Sequence, residues 1–421
     1  MRVRVRGTVP VPGDKSLSHR ALILAALGTG TSRIRSLLQS ADVRATADCL
    51  RALGVDVPDL AADLSVAGRG LRGLTAPGRS LDAMNSGTTV RLLAGVVAGH
   101  PFATTFTGDA SLSRRPMRRV AAPLEAMGAT VRLSDAGTLP MTVTGGALES
   151  VAWDSATASA QVKSCVLLAG LVAGVGVTVR EPSRSRDHTE RMLLAMGARV
   201  SSESTQVQLE PCASLAPLDA RIPGDPSSAA FFAALAAAAD AGDLLLPHVG
   251  LNPTRTGFFT TLQRMGALVD VVEQRVEGGE PVGTVRIRSR GLQGRTVGGE
   301  VIPTMIDELP LLACLGALAE GETVIRDAVE LRSKESDRIA IVVANLRALG
   351  ADAEELPDGL RVVGGRGTLR AGAVATHGDH RIAMAFAILG TAGGIEVDID
   401  DRACVAVSYP DFWRDLASVT Q

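Results

Sequence analysis

The chain has 421 residues, more than a single hydrophobic core usually spans, and we therefore expect two domains. Its formal net charge of −2 excludes a general binder of nucleic acid or of anionic membrane surfaces, because such proteins carry a basic excess or a basic tail. The longest apolar runs are interrupted by glycine and stay below the roughly 20 residues of a membrane span, which excludes a transmembrane protein.

The N-terminal stretch MRVRVRGTVPVPG alternates charged residues with valine and lacks a continuous apolar segment, so it indicates a strand and not a signal peptide. The five cysteines are scattered and are never spaced as CxxC. An odd number of scattered thiols fits a reducing compartment and argues against a structural zinc site. We therefore expect a cytoplasmic protein.

Along the chain, six segments share one design, in which polar or charged residues lead into a helix made mostly of alanine, leucine, valine and glycine. Each helix is too apolar to face water and is followed by a strand-like run. The six segments begin at Lys15, Asn85, Ser159, Pro226, Asp307 and Asp379. The pattern thus predicts six buried helices with polar N-terminal ends.

The polar residues at these helix starts have two possible roles. Ser159 and Ser227 are suited to cap the free backbone N–H groups of a helix, which is the usual reason for serine at this position. Cations such as Lys15, Arg91 and Arg381 are not explained in this way, because the positive end of the helix dipole disfavours them. A helix N-terminus with a cation is a natural anion site, and several of them predict a ligand rich in negative charge.

A second signature alternates with the first and consists of an amphipathic helix, a glycine that ends it, and a strand. The terminating glycines are Gly54, Gly128, Gly197, Gly266 and Gly350, and a truncated last copy ends at Val419. A spacing of roughly 70 to 85 residues indicates a duplicated supersecondary unit. Together the two signatures predict an α/β (α+β) fold built from six βαβαββ units.

Six such units divide most naturally into two domains of three. The boundary is expected where LDARIPGDPSS changes from strand to Pro/Gly turn to helix. The first strand of the chain closes with the turn PVPGD ahead of the first unit, so we assign it to the second half. We predict an N-terminal domain of residues 14–223 and a C-terminal domain of residues 1–13 and 224–421.

Three loops that precede amphipathic helices concentrate arginine, lysine and serine. They are Thr107–Arg119, Glu181–Met192 and Glu330–Ile339. Arginine presents a planar fork that suits phosphate and carboxylate groups, so these loops indicate small ligands that carry both. A solvated charged turn is the alternative interpretation for any one of them.

Seven segments carry a family resemblance: DKSLSHRAL, NSGTTVRLL, SRRPM, SAQVKS, SRDHTERML, SKESDRI and GDHRIAMAF. In their order and spacing they resemble the 5-enolpyruvylshikimate-3-phosphate synthase family over nearly the whole chain. The resemblance implies two similar domains, each an inside-out α/β barrel of three βαβαββ units. It also implies transfer of the enolpyruvyl group of phosphoenolpyruvate to the 5-hydroxyl of shikimate 3-phosphate, with release of phosphate, in aromatic amino acid biosynthesis.

The same resemblance assigns residues to both substrates. Shikimate 3-phosphate would be held by Lys15, Ser16, Arg20, Ser159, Ala160, Gln161, Ser185, Asp307 and Lys334. Phosphoenolpyruvate, whose pocket the inhibitor glyphosate would share, would be held by Lys15, Asn85, Gly87, Arg115, Gln161, Arg338 and Arg381. Two positions depart from the family: Ala160 replaces a second serine, so that only its backbone N–H can bind phosphate, and Val407 replaces a lysine of some members.

The implied reaction needs an acid and a base, because a methylene carbon must gain a proton while a hydroxyl group loses one. The resemblance implies Asp307 for the hydroxyl proton, Glu335 for the proton of the methyl carbon, and Lys15 for the departing phosphate. Ion pairing of the two acids with Arg338 or Lys334 is the purely structural alternative.

No cofactor and no metal are expected. His377 and His380 lie beside Asp379 on one turn, but a metal site needs a further ligand, and none is nearby in the sequence. The expected partners are small molecules, without nucleic acid or membrane, and we expect a monomer.

Two rival functions are weaker. The related UDP-N-acetylglucosamine enolpyruvyl transferases follow the active lysine with asparagine and carry a cysteine on a mobile loop, whereas Ser16 follows Lys15 here and Asp109–Arg119 has no cysteine. A non-catalytic sensor of phosphorylated metabolites would be weakened by acids beside its anion, because like charges repel. The acids therefore favour an enzyme.

Overall fold

The computed structural model describes residues 3–420, so Met1, Arg2 and Gln421, which belong to the predicted C-terminal domain, lie outside the described residues. Its α-helices are α1 (Lys15–Leu27), α2 (Ala41–Ala52), α3 (Gly87–Ala98), α4 (Arg118–Ala126), α5 (Ala160–Ala173), α6 (His188–Ala195), α7 (Pro226–Ala238), α8 (Gly257–Arg264), α9 (Leu309–Leu318), α10 (Arg338–Ala348), α11 (His380–Gly393) and α12 (Phe412–Val419).

The strands are β1 (Arg4–Thr8), β2 (Thr31–Arg35), β3 (Leu64–Ala67), β4 (Leu81–Asp82), β5 (Ala103–Thr107), β6 (Thr130–Arg132), β7 (Met141–Thr144), β8 (Val151–Asp154), β9 (Val177–Arg180), β10 (Val200–Glu203), β11 (Gln206–Leu209), β12 (Asp219–Arg221), β13 (Ala241–Gly250), β14 (Leu268–Glu277), β15 (Glu280–Arg288), β16 (Thr296–Val297), β17 (Glu322–Ile325), β18 (Asp352–Leu356), β19 (Gly359–Val363), β20 (Gly372–Val374) and β21 (Val397–Ile399).

The odd-numbered helices are the six predicted from the first signature, and they are buried on nearly every side. All residues of α7 and all residues of α9 are buried. Within residues 3–420, no helix has the length and hydropathy to cross a membrane. In each unit three of these helices form the interior and the strands lie outside, as in an inside-out α/β barrel.

The second signature is also confirmed. Each predicted glycine follows α2, α4, α6, α8 or α10 and has a φ between +87° and +111°. This left-handed backbone is strained for residues with a Cβ and terminates the helix, which is why glycine recurs there.

The start of α7 differs from the expectation. Asp225 is the N-cap, and its Oδ1 accepts the N–H of Ser227 at 2.8 Å, so the capping role predicted for Ser227 is wrong. Pro226 occupies the first helical position, where its fixed φ suits the helix, so the cap lies two residues before Ser227. The capping role predicted for Ser159 is confirmed, because its side chain accepts the N–H of Val162.

The same order of strands recurs in three of the sheets. In the sheet β4–β5–β7–β6, β4 is parallel to β5, and β7 is antiparallel to both β5 and β6. The sheets β8–β9–β11–β10 and β16–β17–β19–β18 have the same order, which is the βαβαββ pattern. The last unit is truncated to β20, α11, β21 and α12.

Two strands pair with strands that are distant from them in the sequence. β1 pairs in parallel with β13 and completes the sheet β1–β13–β15–β14, whereas β12 pairs in parallel with β2 and completes the sheet β12–β2–β3. The chain divides accordingly into two compact units. The N-terminal unit contains Gly13–Ile222 and Glu277–Glu280, and the C-terminal unit contains the described residues up to Pro12, Pro223–Val276 and the described residues from Pro281 onward.

Close helix packing in the N-terminal unit depends on glycine. A Cβ placed on Gly95 in α3 would overlap the backbone carbonyl of Cys165 in α5. A glycine inside a helix costs about 1 kcal/mol relative to alanine, so this position has a packing reason and not a conformational one. The two helices can lie this close only because α3 has no side chain at the contact.

We expect Gly95→Ala to destabilise the N-terminal unit, because overpacking costs about 1 to 3 kcal/mol and outweighs the gain in helix propensity. Calorimetry should show an unfolding midpoint lower by up to roughly 8 °C. Gly146→Ala is the matched control, since nothing lies within 4 Å of a Cβ there. Equal midpoints for the two variants would contradict the packing role of Gly95.

Candidate active site

The first two turns of α1 carry two of the predicted cations, Lys15 and Arg20. The Lys15 ammonium lies 3.0 Å from Oδ2 of Asp42 and remains partly exposed to solvent. The buried Arg20 guanidinium donates to Thr189 Oγ1 at 2.7 Å, to Ser164 Oγ at 2.9 Å and to the carbonyl of Ser16 at 3.0 Å. These bonds hold one cation over the first turn of the helix and leave the other within reach of a ligand.

The start of α3 is bridged to its neighbours by a second pair of arginines. Arg91 donates to Gln161 Oε1 at 2.7 Å, and Gln161 in turn donates to Thr88 Oγ1 at 3.0 Å. Arg115 donates to Asn85 Oδ1 at 2.7 Å. The N-terminal turns of α3 and α5 therefore share one polar network.

Gly87, the first residue of α3, lies directly beneath these guanidinium groups. A Cβ at this position would stand 2.7 Å from Nη1 of Arg91 and 3.4 Å from Nη1 of Arg115. A side chain here would displace at least Arg91, because real Cβ atoms do not approach so closely. Lys15, Arg20, Arg91 and Arg115 are called the cationic cluster below.

A buried chain of hydrogen bonds between neutral side chains connects α1, α2 and α3. His19 Nδ1 is hydrogen-bonded to Thr46 Oγ1 at 2.7 Å, and Thr46 Oγ1 to Thr89 Oγ1 at 2.7 Å. Thr89 also bonds to Ser86, the N-cap of α3, at 2.7 Å. Burial, with the charges of Lys15 and Arg20, holds the pKa of His19 well below its ordinary value, so the imidazole is neutral.

The start of α5 contains the predicted phosphate ligands. Ser159 is the N-cap, Ala160 is the first helical residue, and Ser185 lies on the loop before α6. The Ser159 N–H and the Ser185 hydroxyl both donate to the buried carboxylate of Glu181, at 2.8 and 2.7 Å. Sequence reasoning missed Glu181, although it opens one of the three arginine-bearing loops.

The C-terminal unit has its own cluster around a buried arginine. Arg338 donates to Asp379 at 2.8 and 3.2 Å, to Glu335 at 2.6 Å and to Asp307 at 3.5 Å. Burial acts to lower the pKa of Arg338, but Asp379 and Glu335 more than offset it and hold the pKa above its ordinary value. Asp307, Lys334, Glu335, Arg338, Asp379 and Arg381 are called the carboxylate–arginine cluster.

Two further cations approach Asp307 in this cluster. Lys334 lies 3.8 Å from its Oδ1, and Arg381 lies 3.8 Å from its Oδ2. Arg381 also donates to Glu308 Oε1 at 3.4 Å. The ion pairs foreseen as a structural alternative for the acids are thus present.

The three carboxylates of this cluster differ in their exposure to solvent. The Asp379 side chain is 0% exposed, while those of Asp307 and Glu335 are 15% and 21% exposed. Burial acts to raise the pKa of Asp379, but Arg338 holds it below its ordinary value, so Asp379 is ionised at neutral pH. Asp379 is suited to orient Arg338, and the other two acids are suited to meet a substrate.

The structure therefore gathers the predicted residues into one cluster in each unit. Asp379 was named in the sequence as the polar start of the last apolar helix, and it is the N-cap of α11, but its pairing with Arg338 was not foreseen. Asp42, the partner of Lys15, gave no such signal, because the ion pair joins residues 27 apart in the sequence.

One group among the described residues has the spacing of a metal site, formed by Asp187, His188 and Glu280. His188 Nδ1 lies 2.7 Å from Glu280 Oε1, and Asp187 pairs with Arg184 at 2.8 Å and with Arg191 at 2.9 Å. Each carboxylate already has a partner, and the two arginines oppose a cation, so the group is an ion-pair network by its chemistry.

Comparison with known proteins gives one family. The family model for EPSP synthase (3-phosphoshikimate 1-carboxyvinyltransferase) matches residues 1–416. A 3-phosphoshikimate 1-carboxyvinyltransferase of Chloroflexus aurantiacus is 49% identical, covering 99% of this chain and 97% of the relative. That of Roseiflexus castenholzii is 48% identical, covering 99% and 98%.

Solved structures agree with these relatives. EPSP synthase from Acinetobacter baumannii is 40% identical and superposes with a TM-score of 0.87, covering 100% of this chain and 96% of that structure. The enolpyruvyl transferase NikO from Streptomyces tendae, at 20% identity and a TM-score of 0.76 over 99% of this chain and 95% of the other, shares the fold.

The contact between Asp379 and Arg338 yields a prediction. Asp379→Asn leaves a buried guanidinium with less compensation and should cost about 3 kcal/mol, the lower end for a broken buried pair because Glu335 and Asp307 remain. Chemical denaturation of the C-terminal unit measures this loss. Asp337→Asn is the matched control, since Asp337 also caps a helix and pairs with an arginine, Arg332, but is partly exposed.

The stabilisation that Asp379 provides should decrease as the pH falls. Because the folded-state pKa of Asp379 is lowered, its stabilisation is present at neutral pH and is lost as pH falls through that pKa. The stability difference between wild type and Asp379→Asn should therefore shrink in acid. A difference that is independent of pH, or no larger than that of Asp337→Asn, would contradict the assignment.

Proposed function

Because the chain belongs to the EPSP synthase family, whose reaction transfers the enolpyruvyl group of phosphoenolpyruvate to the 5-hydroxyl of shikimate 3-phosphate, we propose how its two clusters perform this reaction. The observation that carries the proposal is the sorting of charge. One unit collects cations at helix N-termini, and the other sets two partly exposed acids around a buried arginine. The reaction needs both, since its substrates are phosphorylated carboxylates and its steps move protons.

The cationic cluster and its neighbours bind the anionic groups. For shikimate 3-phosphate the proposed ligands in the N-terminal unit are Lys15, Ser16, Arg20, Ser159, the N–H of Ala160, Gln161 and Ser185. For phosphoenolpyruvate they are Lys15, Asn85, Gly87, Arg115 and Gln161. Backbone N–H groups at helix starts and planar guanidinium groups both fit phosphate and carboxylate, which supports these assignments.

The carboxylate–arginine cluster supplies the remaining ligands. We assign Asp307 and Lys334 to shikimate 3-phosphate, and Arg338 and Arg381 to phosphoenolpyruvate. Arg338 is held by Asp379 in a fixed orientation, so little order has to be gained when an anion binds. The same guanidinium donates to Glu335 at 2.6 Å and so fixes the position of that carboxyl group.

The proposed reaction proceeds by addition and elimination. Asp307 accepts the proton of the 5-hydroxyl as its oxygen bonds to the central carbon of phosphoenolpyruvate, while Glu335 gives a proton to the methylene carbon. In the second stage Glu335 takes a proton back from the methyl group as the carbon–oxygen bond to phosphate breaks. Lys15 stabilises the phosphate that leaves.

We further propose that the chain acts as a monomer in the cytoplasm. All proposed ligands and both acids belong to a single chain, so the chemistry asks for no second copy. The five cysteines are free thiols, which fits a reducing compartment.

Phosphate release from phosphoenolpyruvate should require shikimate 3-phosphate. The acceptor hydroxyl is a reactant, so phosphoenolpyruvate alone, or with UDP-N-acetylglucosamine, should give no more phosphate than the enzyme-free control. A continuous phosphate assay with each acceptor in turn measures this. Turnover with UDP-N-acetylglucosamine, or without an acceptor, would refute the proposed substrate.

Glu335→Gln should lower kcat by roughly 10² to 10⁴, because a positioned acid and base is lost, while the KM values change far less. Glu330→Gln is the matched control, since Glu330 lies 3.5 Å from Lys334 but takes no proposed part in the reaction. Steady-state kinetics of both variants decide the point. A change confined to KM, or an equal loss in Glu330→Gln, would remove Glu335 from the reaction.

A further inference from the structure

We propose that Glu181 is a positioning residue for the phosphate of the acceptor, acting through Ser159 and Ser185. The inference rests on the proposed function, which assigns both serines to shikimate 3-phosphate. Glu181 follows β9 directly, and its side chain is only 2% exposed, so it does not meet the substrate itself. Its influence must pass through the groups that it binds.

Both carboxylate oxygens of Glu181 are engaged. Oε1 accepts the backbone N–H of Ser159 at 2.8 Å, and Oε2 accepts the hydroxyl of Ser185 at 2.7 Å. Lys163 Nζ lies 3.0 Å from the same Oε2. Glu181 thus fixes the first residue ahead of α5 and the loop before α6 relative to each other, at the two points where the phosphate is to be bound.

Only a carboxylate satisfies this arrangement. Its three neighbours are all donors, and an ionised carboxylate is an acceptor at both oxygens, whereas an amide has one accepting oxygen. A buried anion is costly unless it is paired, and Lys163 provides the pairing. Burial acts to lower the pKa of Lys163, but Glu190 and Glu181 more than offset it, so Lys163 stays charged.

The hydroxyl hydrogen of Ser185 explains why the lysine is needed. A serine has one hydroxyl proton, and in this structure Ser185 gives it to Glu181. To donate to a phosphate, Ser185 must turn that proton away, which leaves Oε2 with Lys163 as its remaining partner. Ser159 needs no such exchange, because its Oγ accepts the N–H of Val162, a role that does not use the hydroxyl proton.

Glu190 offers a matched comparison within the same ion group. It lies 2.8 Å from Lys163 and is as buried as Glu181, but its ion pair is with Lys163 and not with either serine. A role confined to balancing the lysine charge would make Glu181 and Glu190 equivalent. A positioning role makes only Glu181 matter for the acceptor.

The test compares Glu181→Gln with Glu190→Gln in steady-state kinetics with both substrates varied. For Glu181→Gln we expect the KM for shikimate 3-phosphate to rise about tenfold or more, because charge-assisted hydrogen bonds are among the strong ones, while kcat and the KM for phosphoenolpyruvate stay close to wild type. Glu190→Gln should leave the KM for shikimate 3-phosphate near the wild-type value. Equal effects of the two variants, or equal changes in both KM values, would overturn the inference.

Two further variants keep the outcome decisive. Glu181→Asp retains the charge that pairs with Lys163 but withdraws the oxygens by one methylene, so it should also raise the KM for shikimate 3-phosphate even if Glu181→Gln does not fold. Ser185→Ala separates this inference from the proposed function. If Ser185→Ala leaves that KM unchanged, the assignment of the serine fails; if it raises the KM and neither Glu181 variant does, only the role of Glu181 fails.

Discussion

Burial of helices on all sides is the constraint from which the other features of this chain follow. A helix with no face toward water must be apolar around its whole circumference, and neighbouring helices approach closely only where side chains are small. In α7 every residue is buried, and at Gly95 the backbone of one helix fills the place of a side chain on the next. The sides of such helices are fully used by packing, so polar chemistry is confined to their ends.

The polar residues of the site lie at the N-terminal ends of these helices. The helix dipole there favours anions and disfavours the cations that the chain places there. Three of these cations have a carboxylate beside them. Asp42 lies against Lys15, Glu181 and Glu190 lie against Lys163, and Asp379 lies against Arg338. These buried carboxylates keep the cations charged and in place. The partly exposed carboxylates, Asp307 and Glu335, remain available to a ligand.

Much of this could be read from the sequence where the determinants are local. The apolar helices, the glycines with positive φ and the cap at Ser159 each depend on residues within one turn. The contacts that finish the site do not: Arg338 meets Asp379 across 41 residues, and Thr46 meets Thr89 across 43. Such pairs are set by tertiary packing, and the α7 cap at Asp225 shows that even a local role can move by two positions.

The strands β1 and β12 pair with strands that are distant in sequence, and this limits how early each unit can fold during synthesis. During synthesis β1 leaves the ribosome long before β13, and Val3 meets Asp240 only after 237 further residues have been joined. At about 5 to 20 residues per second, this strand waits on the order of 10 to 50 seconds with its edge unpaired. The N-terminal unit is likewise missing one strand of its first sheet until β12 emerges. Neither unit can therefore be finished before the chain has passed its midpoint, and a nascent chain is exposed to edge-to-edge association for that whole interval.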